Sequence, residues 1–369
     1  MRRLLAFALP SLLAACDGAV PATDAGADAP SPVDAPRPTD AGRDAPVPDA
    51  GPAADFTTTP ENTWTYVPIP GGACGNGSTY GVAVNRSTAS RRLFVFFQGG
   101  GACWDDATCN FIPLASHISE NVSDRTVIGE ARGNEAYLFS RDPDVNPFAD
   151  ATFVYLPYCT GDVHAGDVVQ EYRSGTVHHV GHRNVAGVLA ALVAGWSDAD
   201  RVWVSGASAG GYGSMVAWYR FREAFPDARV DCLNDSGPPV NLPATRWEEM
   251  VGSWAVPEPT SCPECLGSLS AVNAYYERTA TDGDRFALLQ YTQDDTIRSY
   301  TGLDGTELET AVLGLVDEFA ATDSHRVFVL AGPSHVVLTN PGRSSGGVVV
   351  RDWVRAFAED GPGWENVTP

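Results

Sequence analysis

Positive charge is scarce in this chain of 369 residues: 24 basic side chains stand against 46 acidic ones, a net charge of −22. Nucleic-acid binding needs a basic, phosphate-neutralising surface, so that class of partner is excluded. No Gly-x-x-x-x-Gly-Lys-Ser/Thr phosphate loop and no His-Glu-x-x-His zinc motif is present. Cys262-Pro-Glu-Cys265 lacks the second cysteine pair that would complete a zinc site, and a short structural disulfide or two separate bridges account for it better. Internal repeats are also absent, and low complexity is confined to one tract near the N-terminus.

What is present begins with a leader. Residues 1–16 carry two arginines and an apolar stretch too short to span a bilayer as a mature helix, ending in Leu13-Ala14-Ala15-Cys16. Small residues before a cysteine resemble a bacterial lipoprotein processing site, which predicts a signal peptide and a lipid anchor on Cys16. Export to the cell envelope or surface follows from that expectation. Residues 17–58 hold eight Asp, two Arg and a single aromatic, Phe56. They cannot bury enough apolar surface to offset chain entropy, so an extended, disordered linker is expected. Residues 59–369 hold most of the 9 Trp, 12 Tyr and 15 Phe and should build one substantial core. Seven cysteines lie in that part: Cys74, Cys103, Cys109, Cys159, Cys232, Cys262 and Cys265. Three disulfides and a free thiol suit an oxidising compartment, with the pairing left open; Cys103 and Cys109 could close a small ring.

Short, nearly continuous apolar runs at 93–97, 152–157, 201–205, 229–233, 286–291 and 326–331 read as strands covered on both faces. Helical spacing marks 185–193, 209–221, 308–319 and 349–357. The alternation predicts an α/β fold with a mainly parallel sheet, whose reactive groups sit on loops beyond the carboxyl ends of the strands. Residues 238–284 interrupt the rhythm and carry Trp247, Met250, Trp254, Tyr275 and Tyr276, the expected place for a partial cap over a pocket.

The strongest chemical signal is Gly206-Ala207-Ser208-Ala209-Gly210 between a strand and a helix, the arrangement of a nucleophile elbow. Its helix would direct amino-terminal amides at developing negative charge, which makes Ser208 the candidate nucleophile. In this arrangement the acid and then the histidine follow the serine in the chain. Of the two later histidines, His325 precedes its strand whereas His335 follows it, so His335 is the expected general base. Asp294 and Asp295 end the preceding strand; one would orient His335 and the other could cap the next helix. Asp235, after an earlier strand, is a third candidate acid. The glycines of Gln98-Gly99-Gly100-Gly101-Ala102-Cys103-Trp104 suit an oxyanion hole, with Gly101 or Ala102 giving one donor and Ala209 the other. Trp104, Asp162 and His164 are expected to border the substrate. His178, His179 and His182 suggest a metal by spacing alone; packing and local hydrogen bonds account for them, and no metal is expected.

These segments together resemble the pectin acetylesterase and Notum family of carboxylesterases. The resemblance rests on FFQGGGACWDDATC (96–109), YLPYCTGDVHAGD (155–167), GHRNV (181–185), VSGASAGGYGS (204–214), NDSGPP (234–239), QYTQDDTIRSY (290–300) and AGPSHVVL (331–338). It implies an α/β-hydrolase fold, Ser208 as nucleophile and His335 as base. The family's acid motif favours Asp295 over Asp294, with Arg298 departing from the motif's fourth position. Ala102 and Trp104 also depart from the family's oxyanion loop. The expected activity is removal of O-acyl groups, O-acetyl in the first place, from a polysaccharide or related extracellular ester, without cofactor. A lipid or protein deacylase with the same residues is the nearest alternative, and an inactive glycan-binding lipoprotein a more distant one.

Overall fold

A computed structural model describes residues 53–259, 261–280 and 283–369. The signal peptide, Cys16 and all but the end of the linker lie outside those residues. Phe56, assigned to the linker by composition, is wholly buried in the core, so folded structure starts slightly before residue 59.

Eight strands form one sheet in the order β1-β2-β4-β3-β7-β8-β9-β10. Here β1 is Thr65–Ala73, β2 Thr79–Asn85, β3 Leu93–Phe97 and β4 Thr152–Leu156. A separate antiparallel hairpin, β5 (Val168–Tyr172) and β6 (Gly175–His179), intervenes before β7 (Arg201–Ala207), β8 (Arg229–Asp235), β9 (Phe286–Tyr291) and β10 (His325–Leu330). From β4 to β10 every neighbour pair is parallel, while β1–β2 and β2–β4 are antiparallel. Flanked by helices, this mainly parallel sheet is α/β-hydrolase-like. All residues of β3, β4 and β9 are buried, which explains their unbroken apolar sequences. The six expected strands and four expected helices all form. The antiparallel edge was not foreseen, because Pro68, Pro70 and Gly71 in β1 read as loop; an edge strand tolerates them.

Among the described residues eight α-helices accompany the sheets: α1 (Asp124–Gly133), α2 (Gly181–Trp196), α3 (Ala209–Ala224), α4 (Ala244–Trp254), α5 (Leu269–Thr279), α6 (Asp295–Thr301), α7 (Gly305–Ala320) and α8 (Val350–Ala358). α3 packs on β3, β7 and β8, and α7 on β10. Between β8 and β9 the chain leaves the sheet to form α4, a short 3-10 turn and α5, the helical insertion anticipated over 238–284. A disulfide between Cys262 and Cys265 closes that turn. Cys74–Cys159 joins points 85 residues apart, a cross-link worth about 4.6 kcal/mol on chain-entropy grounds. Cys103–Cys109 closes a small ring in the loop after β3, and Cys232 is free. Burial pushes the Cys232 thiol up to about 12, so it is an inert core side chain.

Candidate active site

At the end of β7 the chain turns into α3 within one residue, Ser208, which sits at φ 58° and ψ −121°. A non-glycine residue there is strained, and its surroundings must hold it. They do so through close backbone contact. A Cβ on Gly206 would lie 2.1 Å from the Gly210 carbonyl oxygen, and one on Gly210 would lie 1.9 Å from the Phe97 carbonyl oxygen. Both glycines of the Gly-x-Ser-x-Gly segment are therefore required by approach of neighbouring backbone. Ser208 N–H donates to the Asp235 carbonyl at 2.8 Å, fixing the turn to the end of β8.

The first-turn amides of α3, Ala209 among them, have no acceptor within their own helix. Across the cavity lies the glycine segment after β3. Gly100 and Gly101 have φ of 153° and 78°, and a Cβ on Gly101 would lie 2.1 Å from the Leu114 carbonyl oxygen. A side chain is excluded there, and backbone can line the cavity directly. Gly101, Ala102, Ser208 and Ala209 all line the same cavity. The Ala102 amide is turned toward the Tyr300 hydroxyl, which in turn donates to Leu114 O at 2.6 Å. Tyr300 thus competes for that amide, leaving Gly101 and Ala209 as the stronger oxyanion candidates.

The histidine and its acid meet on loops beyond β9 and β10. His335 Nδ1 lies 2.7 Å from Asp294 Oδ2, and that carboxylate is fully buried. The other oxygen of Asp294 accepts the amides of Thr296 and Ile297, each at 3.0 Å, capping α6. One side chain therefore performs both tasks that were expected of two. Asp295 does neither. Its side chain is 67 % exposed and pairs with Arg298 at 2.7 Å. The preference for Asp295 is corrected on this geometry: as the first residue of α6 it points to solvent. With Nδ1–H donated to Asp294, Nε2 of His335 is left as the basic nitrogen.

Asp235 is no acid for His335. Its carboxylate accepts Val337 N–H and Leu338 N–H, both at 2.8 Å, while Val336 N–H donates to Ser236 Oγ at 3.2 Å. Its backbone carbonyl holds Ser208. One buried residue thus ties the Ser208 turn and the His335 loop to the same strand end. Burial pushes its carboxyl up to about 6, against the pull of the two amides. Asp235→Asn should therefore leave Leu338 N–H facing an amide donor. We expect a loss of about 1–3 kcal/mol in denaturant unfolding and a lower kcat with little change in KM. Full stability and full turnover in this variant would contradict the tethering role.

The expected substrate contacts divide. Trp104 is almost buried, packs with Ala102, Met250 and Trp254, and carries the Arg246 guanidinium 4.6 Å above its ring. Asp162 is corrected outright. It is fully buried and accepts from Thr160 Oγ1 and from the amides of His164, Gly166 and Gly181, so its oxygens serve the loop. His164 lines the cavity, yet its Nε2 lies 2.9 Å from the Gln98 carbonyl, bracing the strand that feeds the oxyanion segment. The three clustered histidines do not converge. His178 and His179 are on β6 and His182 opens α2, so their sequence spacing is not a helical one. His179 Nδ1 bonds Thr160 O at 2.7 Å, and burial with Arg220 nearby pushes His182 down to about 4. Among the described residues one set, Cys103, Cys109 and His179, gathers three candidate ligand atoms within 4.8 Å, but its sulfurs are bonded to each other. That leaves no thiolate for a cation.

The cavity beside Ser208 measures about 110 Å³ and is walled largely by apolar groups from α3 and the insertion, including Met215, Leu242, Trp247, Met250, Trp254 and Val256. Tyr212, just past the elbow, also lines it and was missed in the sequence; its buried hydroxyl has no hydrogen-bond partner among the described residues. Only its place four residues after Ser208, one helical turn on, could have flagged it.

Comparison with known proteins gives a match of residues 62–254 to the Pectinacetylesterase family, a little over half of the chain. Pectin acetylesterase 5 of Arabidopsis thaliana is 30% identical over 179 residues, 47% of this chain and 40% of that protein. Palmitoleoyl-protein carboxylesterase notum1 of Xenopus laevis is 30% identical over 171 residues, 44% of this chain and 34% of that protein. The human palmitoleoyl-protein carboxylesterase NOTUM is 28% identical over 173 residues, with 44% and 34% covered. The aligned part thus spans well under half the length of these relatives. Ser208 lies inside the family match; Asp294 and His335 lie beyond it.

Proposed function

This chain belongs to the pectinacetylesterase family, and from that premise we propose that it is a serine carboxylesterase acting through Ser208, His335 and Asp294. The observation that carries the reading is the joining of the strained Ser208 turn and the His335 loop through Asp235, with Asp294 bonded to His335 Nδ1. In the proposed reaction, Ser208 Oγ attacks the ester carbonyl carbon as His335 Nε2 takes its proton. The carbonyl oxygen becomes an oxyanion held by the amides of Gly101 and Ala209. Collapse breaks the bond to the alcohol oxygen, which takes the proton back from His335. Water then attacks the acyl-enzyme by the same route and releases the carboxylic acid. Asp294 keeps the imidazole oriented and offsets its transient positive charge. No step calls for a metal or an organic cofactor.

The acyl group is proposed to be longer than acetyl. A polar, open cleft would suit acetylated polysaccharide, whereas the wall of Met250, Trp247, Trp254 and Leu242 suits a hydrocarbon chain. A dry cavity of about 150 Å³ takes a benzene-sized guest; the smaller space here, about 110 Å³, fits an acyl chain of about four or five carbons on the same scale. Across a p-nitrophenyl ester series, kcat/KM should rise from acetyl to a maximum in that range. Met250→Trp, which fills the cavity from the cap side, should move the maximum toward acetyl. A maximum at acetyl in the unaltered protein would overturn the chain-length proposal and return the substrate to acetylated esters.

A further inference from the structure

Among the described residues five large apolar side chains are exposed, and three of them fall in a single four-residue segment: Phe111 at 62 %, Ile112 at 70 % and Leu114 at 36 %. Scattered apolar residues on a surface need no explanation, but a concentrated cluster does. This one is held firmly. Ala107–Phe111 form a π-helical turn that begins within the Cys103–Cys109 ring and runs two residues past it. Ile112 N–H bonds Ala107 O and Leu114 N–H bonds Thr108 O, both at 2.9 Å, and Ser116 N–H bonds Gly100 O at 2.7 Å. Tyr300, a cavity-lining residue, donates to Leu114 O. The segment is thus a braced tip that leaves the site at Gly101 and returns to pair with it at Ala115.

We propose that Phe111 and Ile112 form an interfacial docking tip that seats the protein on a neutral lipid–water surface, beside the mouth of the Ser208 cavity. The inference rests on the esterase reading above and adds the physical form in which the ester is met. Three observations select this occupant. The tip follows the oxyanion segment along the chain and is tied back to it through the Gly101–Ala115 bridge and the bond from cavity-lining Tyr300 to Leu114 O, so a substrate with a hydrocarbon acyl chain would meet both. Such substrates concentrate at lipid–water surfaces, where a few buried apolar side chains hold a protein reversibly. The charge of −22, with Asp105 on the same segment, repels an anionic surface and opposes a second copy of the chain, which leaves a zwitterionic or uncharged one.

The test uses the full chain carrying Cys16→Ser, so that no anchor at that residue contributes, and glyceryl tributyrate above and below its solubility limit. The parent should gain rate once emulsion droplets are present. Adding Phe111→Ser and Ile112→Ser should leave the rate on dissolved tributyrate unchanged and reduce the gain on droplets about tenfold or more. In a Ser208→Ala background, flotation with phosphatidylcholine vesicles should show binding that the two serines weaken to the same degree. Equal droplet rates and equal flotation with and without the serines would overturn the proposal. So would a parent dimer, seen in sedimentation, that the serines convert to monomer, since the patch would then belong to a second copy. Vesicle binding with no turnover of dissolved tributyrate would sink the esterase reading and leave the docking surface standing.

Discussion

Asp294→Asn should lower kcat about ten-thousandfold, whereas Asp295→Asn should stay within about threefold of the unaltered protein. The two residues are adjacent and chemically identical, so the contrast isolates geometry. Asp294 is buried and accepts His335 Nδ1–H at 2.7 Å while capping α6; Asp295 faces solvent with Arg298. Asparagine at 294 retains one oxygen for the helix cap but allows the amide to turn its NH₂ toward the imidazole, which stabilises the wrong tautomer. The fold should therefore survive, and the loss should appear in kcat far more than in KM. Comparable losses from both substitutions, or a larger one at 295, would contradict the assignment.

Ser208→Ala carries the other large effect. Removing the nucleophile should reduce turnover by about a millionfold, down to what the oxyanion donors and binding alone supply. Thermal stability should hold or rise slightly, because alanine removes only a hydroxyl from the strained turn while the glycines that accommodate that turn remain. Turnover unchanged in this variant would place the chemistry elsewhere.

Most of the sheet was legible because its strands are buried on both faces and therefore spelled as uninterrupted apolar runs, as in Leu93–Phe97 and Phe286–Tyr291. The turn at Ser208 was legible for a different reason: small residues are forced at 206 and 210 by backbone contacts that tolerate no Cβ. The acid was not. Asp294 and Asp295 differ in role only through where α6 begins, and a helix start is a matter of one residue. Asp162 misled because a polar loop after a strand looks the same in sequence whether its carboxylate meets substrate or, as here, three amides and a hydroxyl of its own surroundings. Asp235 was weighed only as an acid. Its actual contacts, to amides 102 and 103 residues away, have no local signature. The edge hairpin escaped for a related reason, since prolines in β1 are permitted only because nothing pairs on its outer side.

The most direct measurement is covalent labelling with a fluorophosphonate, followed by mass-spectrometric mapping of the modified peptide. A single adduct on Ser208 is predicted, formed at a rate that drops sharply in His335→Ala and Asp294→Asn. Absence of any adduct in the folded protein, or an adduct on a different serine, would contradict the account.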